Sequence, residues 1–280
     1  MSLVAETHGT GLPVLCLPGF SLPGSAMVAA LEPAVAATTG LRRIYPDLPG
    51  TGRSPGGPAN SDGVLDAVAD LVEREIGAAR FLVVGWSYGG YLAAGLARRR
   101  PEQVAGLLLV CHGTRILPGN RDLPVAPVVS EEVEWLVDVP TDLRAHLSVA
   151  LGNRTRETAE RVATVLTASG PGDEEYLGRL RDTGYQLSDE GSTLAFLGPT
   201  SLIAGRQDYI AGYADQFRAL ASYPAASYAL LAEAGHYLPF EQPEAFRGLT
   251  LDWLARCTAA VGGPRLDHPA GQPTPDYPAG

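Results

Sequence analysis

Apolar residues in this chain fall into short unbroken runs and longer helical stripes, and the two patterns alternate. Pro13-Val14-Leu15-Cys16-Leu17, Leu41-Arg42-Arg43-Ile44-Tyr45, Phe81-Leu82-Val83-Val84 and Val104 to Cys111 are strand-length segments rich in apolar residues, bounded by turn-forming or polar residues. Runs of this kind suit strands covered on both faces. Residues 2–8 predict another strand before the turn Gly9-Thr10-Gly11, so the first two strands read as a hairpin. Between the runs lie stripes at helical spacing: Ala26 to Thr38, closed by Gly40; residues 61–77, with Leu65, Val68, Leu71, Val72 and Ile76 on one side; and Tyr91 to Ala97. Strand and helix in alternation predict βαβ units. Right-handed crossovers then wind helices onto both faces of a mostly parallel sheet, giving an α/β, doubly wound fold.

The alternation lapses from Arg115 to Gly198. That stretch carries apolar positions at Val133, Trp135, Leu136 and Val137, then stripes over Leu143 to Leu151, Glu157 to Ala168 and Tyr176 to Leu180, with no core strand among them. A compact domain does not hold so long a loop, so residues 115–198 are expected to be an inserted helical cap over the carboxyl edge of the sheet. The core is then residues 1–114 and 199–260. Its second part has strands at Thr200 to Ala204 and Ala226 to Leu231 and helices around 212–220 and 243–256. Residues 261–280 are rich in Gly and Pro without periodicity, and a disordered tail is expected.

Six residues at one junction carry the candidate chemistry. Gly85-Trp86-Ser87-Tyr88-Gly89-Gly90 directly follows a strand and opens a helix, so Ser87 stands on the turn between them. Glycines two residues either side of the serine suit a sharp turn whose side chains would otherwise meet the neighbouring strand and helix. In a chain with 33 glycines the motif alone is weak, and the strand and helix around it make Ser87 the candidate nucleophile. A serine hydroxyl also needs a histidine within reach and a carboxylate to orient it. His236, in Ala234-Gly235-His236-Tyr237, lies between the last strand and the last helix, at the sheet edge where Ser87 is expected. Asp208 follows Leu202-Ile203 through the turn at Gly205, and Glu233 is the second choice of acid.

The oxyanion formed on attack needs two amide donors. Tyr88 N–H, at a helix N-terminus, is one. The other is assigned to Phe20 in the loop Pro18-Gly19-Phe20, because proline has no N–H. Trp86, His112 and Trp135 are the candidate substrate-binding residues; Trp135, Leu136, Leu143 and Leu147 equally have the spacing of ordinary helix packing. His8 and His268 are expected to be structural or exposed, and His146 falls on a helix of the insertion.

Composition narrows the partners. The chain has 280 residues, 45% hydrophobic and 19% charged, which is ordinary globular composition. A net charge of −10 with no offsetting basic run argues against nucleic acid. The cluster Arg98-Arg99-Arg100 closes a predicted helix, where cations suit the dipole. The three cysteines, Cys16, Cys111 and Cys257, cannot all pair and have no metal-binding spacing. No stretch is long and apolar enough to span a bilayer, and no basic segment leads into an apolar core at the start. A reduced, cytoplasmic setting without membrane contact is expected.

The chain resembles the α/β-hydrolase fold superfamily over residues 10–112 and 200–257. Ser87, Asp208 and His236 fit that family's nucleophile, acid and base by motif and chain order. Asp47 to Ser54 is similar to the D-x-x-G-x-G-x-S loop beside the family's site. Ala234-Gly235-His236 with Glu241-Gln242-Pro243-Glu244 is similar to its histidine loop and following helix. Pro18-Gly19 stands where the family usually has His-Gly, a departure that leaves the backbone donor in place.

The resemblance implies a serine hydrolase acting on an ester of a small or medium carboxylic acid, with a small-molecule substrate and no metal or organic cofactor. Serine at position 87 sets the chain apart from epoxide hydrolases and haloalkane dehalogenases of this fold, which have Asp there. Three other readings share the fold: a C–C bond hydrolase of a vinylogous diketone; an aminopeptidase similar to prolyl iminopeptidases, with Glu131, Glu132 and Glu134 holding the substrate amine; and a non-catalytic binding protein.

Overall fold

A computed structural model describes residues 2–126, 133–192 and 194–260. The expected tail, with His268, and the candidates Glu131 and Glu132 lie outside the described residues. The apolar runs form β1 (Ala5–His8), β2 (Leu12–Leu17), β3 (Leu41–Pro46), β4 (Phe81–Trp86), β5 (Val104–Val110), β6 (Thr200–Gly205) and β7 (Ala226–Leu231). They make one 7-stranded sheet in the order β1-β3-β2-β4-β5-β6-β7, parallel throughout except where β1 meets β3. The expected hairpin at the start does not form. β3 lies between β1 and β2, and β1 runs antiparallel to it with Ala5 opposite Pro46. At the turn a Cβ on Gly9 would stand 2.5 Å from Leu41 O and one on Gly11 2.2 Å from Gly40 O, so the chain crosses tightly over the start of β3.

The helices are α1 (Gly24–Val35), α2 (Ser61–Glu75), α3 (Tyr88–Arg99), α4 (Thr141–Ala150), α5 (Arg156–Ser169), α6 (Glu174–Thr183), α7 (Ala214–Arg218), α8 (Leu238–Glu241) and α9 (Pro243–Ala260). Side chains alternate across each strand, and this sorts the core into two layers. Leu82, Val84 and Trp86 of β4 join α1 and α9 on one face, while Phe81 and Val83 join α2 and α3 on the other. Each fully buried Leu or Val in these layers is worth about 1.5–3 kcal/mol. Gly106 of β5 lets α9 approach, since a Cβ there would meet Cys257 Sγ at 2.3 Å.

The segment between β5 and β6 divides between the same two layers. Leu147, Ala150, Ala159 and Val162 of α4 and α5 extend the first, and Tyr176, Leu177 and Leu180 of α6 extend the second. Side chains at Asn60, Thr155 and Asp173 accept the backbone N–H three residues on, which starts α2, α5 and α6 at those points. No helix of the described residues is long and apolar enough to cross a membrane.

Candidate active site

β4 ends at Trp86 and α3 begins at Tyr88, so a single residue, Ser87, turns the chain between them. Its φ of 55° lies on the left-handed side, which a non-glycine residue holds only where its surroundings fix it. Those surroundings are tight. A Cβ on Gly85 would stand 2.4 Å from Gly89 O, one on Gly89 2.2 Å from Leu17 O, and one on Gly90 2.4 Å from His112 Cβ. Among the described residues, Ser21, Ser87, Cys111 and Glu233 are the non-glycines with positive φ, and each follows the carboxyl end of β2, β4, β5 or β7.

The Ser87 side chain makes no helix-capping bond, and its Oγ lies 2.8 Å from His236 Nε2. On the other side of the ring, Nδ1 stands 3.1 Å and 3.0 Å from Asp208 Oδ1 and Oδ2. With Nδ1–H donated to the carboxylate, Nε2 is left to accept from the serine hydroxyl. Asp208 is fully buried and accepts the Ile210 and Ala211 N–H groups at 2.9 Å each. Burial alone would raise its carboxyl, but the charge of His236, its hydrogen bond and these two amides hold it below the usual carboxylate range. Glu233, the second choice of acid, is exposed and forms no hydrogen bond or ion pair with His236.

The histidine loop is fixed from both sides. His236 N–H donates to Ala150 C=O at the end of α4 (2.8 Å), and Trp86 Nε1–H donates to His236 C=O (2.9 Å). Glu241 is the knot beneath it. Its buried carboxylate accepts N–H groups from Gly235 and Tyr237 of the histidine loop and from Gly152 and Asn153 of the α4–α5 loop, at 2.7–3.1 Å. Burial lifts this carboxyl to about 7 against the pull of the amides. The two loops meet glycine on glycine: a Cβ on Gly235 would stand 2.2 Å from Ala150 O.

The Phe20 and Tyr88 amides donate to no protein acceptor among the described residues. Gly19 lies against the serine, with a Cβ there only 3.5 Å from Ser87 Cβ. The Asp47 loop braces this region from behind. Asp47 accepts Gly24 N–H (2.8 Å) with one oxygen and Arg53 N–H and Nε–H (3.0 Å each) with the other, and it does not border the cavity.

Ser87, His236, Trp86, Phe20 and Tyr88 open on a cavity of about 830 Å³, bordered on the other side by Leu143, His146, Leu166, Leu177 and Arg181 of the helices between β5 and β6. That volume suits a small or medium organic ligand. His112 and Trp135, expected on this wall, are elsewhere. His112 packs its Cβ on Gly90 and turns its buried ring to Gln216 Oε1 (3.3 Å) and Thr114 Oγ1 (3.2 Å), beside a second cavity of about 540 Å³ behind Gly113. Burial pushes its imidazole down to about 4. Trp135 lies half-buried in a short turn packed on the α1/α9 layer, with Leu136 and Leu147 buried in the same layer. Glu134 is exposed and does not border the Ser87 cavity.

Sequence reasoning missed His146, whose Nε2 lies 2.8 Å from the Tyr237 hydroxyl on the cavity wall, and missed the role of Glu241. The spacing around His146 does not show which side of α4 faces the serine. His8 sits at the surface against Glu6, 2.5 Å away. All three cysteines are buried and unpaired, and burial raises each thiol, which keeps them unreactive. Among the described residues no group of three His, Cys, Asp or Glu side chains could hold a metal ion.

A family model described as "Alpha/beta hydrolase family" matches residues 14–249. The pimeloyl-[acyl-carrier protein] methyl ester esterase of Chromobacterium violaceum is 39% identical over 121 residues, 42% of this chain and 43% of that protein. Lipase LipV of Mycobacterium tuberculosis is 46% identical over 101 residues, 36% of this chain and 37% of that one. The match thus spans less than half the length of either relative. Among solved structures, an alpha/beta superfamily hydrolase from Oenococcus oeni PSU-1 superposes with a TM-score of 0.79 and 25% identity, over 92% of this chain and 97% of the other.

Proposed function

The chain belongs to the alpha/beta hydrolase family, and from that premise we propose that it is a serine hydrolase cleaving an ester of a small or medium carboxylic acid through an acyl intermediate on Ser87. The observation that carries this reading is the hydrogen-bonded line from Ser87 Oγ through His236 to Asp208, opening on the 830 Å³ cavity. Esterase and lipase relatives add to it.

In the first half-reaction Ser87 Oγ attacks the ester carbonyl while His236 Nε2 takes the hydroxyl proton. The Asp208 carboxylate stabilises the imidazolium and holds the ring in the productive tautomer. The Phe20 and Tyr88 amides receive the oxyanion, and two unpartnered N–H groups already in place are effective there because they need no reorganisation. Collapse of the tetrahedral species breaks the C–O bond to the alcohol, which leaves with the proton from His236. Water, deprotonated by His236, then attacks the acyl-enzyme; collapse returns the proton to Ser87 Oγ and frees the carboxylic acid. Residues 115–198 act as a cap that supplies the substrate-facing wall.

Labelling with a fluorophosphonate, beside a Ser87→Ala control, tests the nucleophile. An unlabelled wild-type protein would favour the non-catalytic binder. Where labelling depends on Ser87, a panel of aryl esters, aminoacyl arylamides and dienol diketones tests the bond cleaved, and faster turnover of either non-ester class would overturn the esterase reading.

A further inference from the structure

The Ser87 cavity carries positive charge that its own carboxylates leave unanswered. Arg121 and Arg181 both line it, against one lining carboxylate, Glu174. The guanidinium carbon of Arg181 stands 5.2 Å from the centroid of the Phe20 ring, on α6, and it makes no ion pair or hydrogen bond with a described residue. Its neighbour Arg179 pairs with Glu175 one turn earlier, whereas the residue at that spacing before Arg181 is Leu177. Glu174 lies two turns away, about 10 Å along the helix axis.

Arg121 spends its donors on the main-chain carbonyls of Arg115, Ile116 and Ile210, so its position is fixed while no carboxylate of the described residues pairs with its charge. Both guanidiniums stand beside Tyr185, where burial lifts the phenol to about 12 and the two cations oppose the rise. The Tyr185 and Phe20 rings meet edge to face, 5.2 Å between centroids. One corner of the cavity is therefore an aromatic floor under two cations.

We propose that this corner binds a carboxylate carried by the ester substrate, at the end remote from the bond that Ser87 cleaves. The inference rests on the hydrolase reading above and names its substrate class: half-esters of dicarboxylic acids. A planar guanidinium fork matches a carboxylate in two parallel hydrogen bonds, and Arg181 is free to make them while Arg121 adds charge from a fixed point. The chain carries a net charge of −10, so its overall field does not draw an anion in, and the attraction comes from these two guanidiniums.

The test has two readouts. In the Ser87→Ala protein, calorimetry compares a monomethyl dicarboxylate with the dimethyl ester of the same acid, across chain lengths from butanedioic to octanedioic acid. In the protein with Ser87 intact, kcat and KM are measured for the same pairs. The half-ester is expected to bind about 10- to 100-fold more tightly than the diester, the range for a hydrogen bond to a charged group. Arg181→Ala should erase that preference, mainly through KM, Arg181→Lys should restore part of it, and Arg181→Glu should invert it. Added salt should weaken the half-ester more than the diester.

Equal binding of the two esters, or an equal loss on both in Arg181→Ala, overturns the proposal. Ester turnover without a half-ester preference overturns it too, and leaves the hydrolase reading standing. A half-ester preference in binding with no turnover and no Ser87-dependent labelling supports the corner and removes the hydrolase reading.

Discussion

The segment between β5 and β6 does more than wall the cavity, because its α4–α5 loop presses on the loop that carries His236. Gly152→Ala probes that contact without touching a reacting group. The added Cβ would stand 2.6 Å from Ala234 C and 2.8 Å from both Gly235 N and Gln207 Cβ, where ordinary contact begins near 3.4 Å. The nearest obstacle is backbone of the histidine loop, so relieving it takes a retreat of about 0.8 Å by that loop. Carried one residue on to His236, that shift stretches the 2.8 Å bond to Ser87 to about 3.6 Å, beyond hydrogen-bond reach. Misplacement on this scale costs on the order of 100-fold in rate. The overpacking itself costs about 1–3 kcal/mol, a fall in Tm of about 2–12 °C. The assay is kcat and KM on an aryl ester, well below the variant's Tm, beside the rate of fluorophosphonate labelling. We expect kcat and labelling to fall together while KM changes little. A folded Gly152→Ala protein with kcat within about threefold of wild type would refute the claim that the insertion positions the base.

Three further outcomes follow from the same geometry. Asp208→Asn should lower kcat by about 1,000- to 10,000-fold, read on the same ester, since the ring loses both its orientation and its counter-charge. Glu241 has a folded-state value raised to about 7 from 4.5, so its contribution to stability is full below 4.5 and is lost as pH rises through 7; Glu241→Gln should flatten that fall in a series of melting curves from pH 5 to 8. His112→Asn and Trp135→Ala should lower Tm while leaving the ranking of ester substrates unchanged, and a reordered ester panel would return either residue to the substrate wall.

The core was legible because each signal there has one physical meaning. Glycines at 85 and 89 are demanded by backbone oxygens that a Cβ would meet at 2.4 and 2.2 Å, and Gly90 by the His112 Cβ at 2.4 Å. His236 and Asp208 could be found because, in a parallel sheet, the segments after β6 and β7 emerge at the same edge as the segment after β4. The position of β1 was not legible: two strands beside a tight turn read as a hairpin, and only the path over Gly40 and Leu41 shows that β3 comes between. The segment between β5 and β6 was legible as helical but not as a wall. Leu143 faces the cavity and Leu147 faces the core, yet both belong to one stripe of α4, and nothing in their spacing says which is which. The role of Glu241 was not legible, because the four amides that converge on it come from loops up to 89 residues away along the chain.

Ser21, Ser87, Cys111 and Glu233 ring the working edge of the sheet in a backbone shape that costs an L-amino acid about 1 kcal/mol or more apiece. Native domains outlast their unfolded chains by only about 5–15 kcal/mol. Tension is thus concentrated where catalysis is proposed, and the β-core beneath supplies the restraint. Under mild denaturant that rim is the first part to gain by relaxing, so competence should disappear while far-ultraviolet dichroism still registers an intact scaffold. Sturdiness and readiness reside in different strata of this molecule.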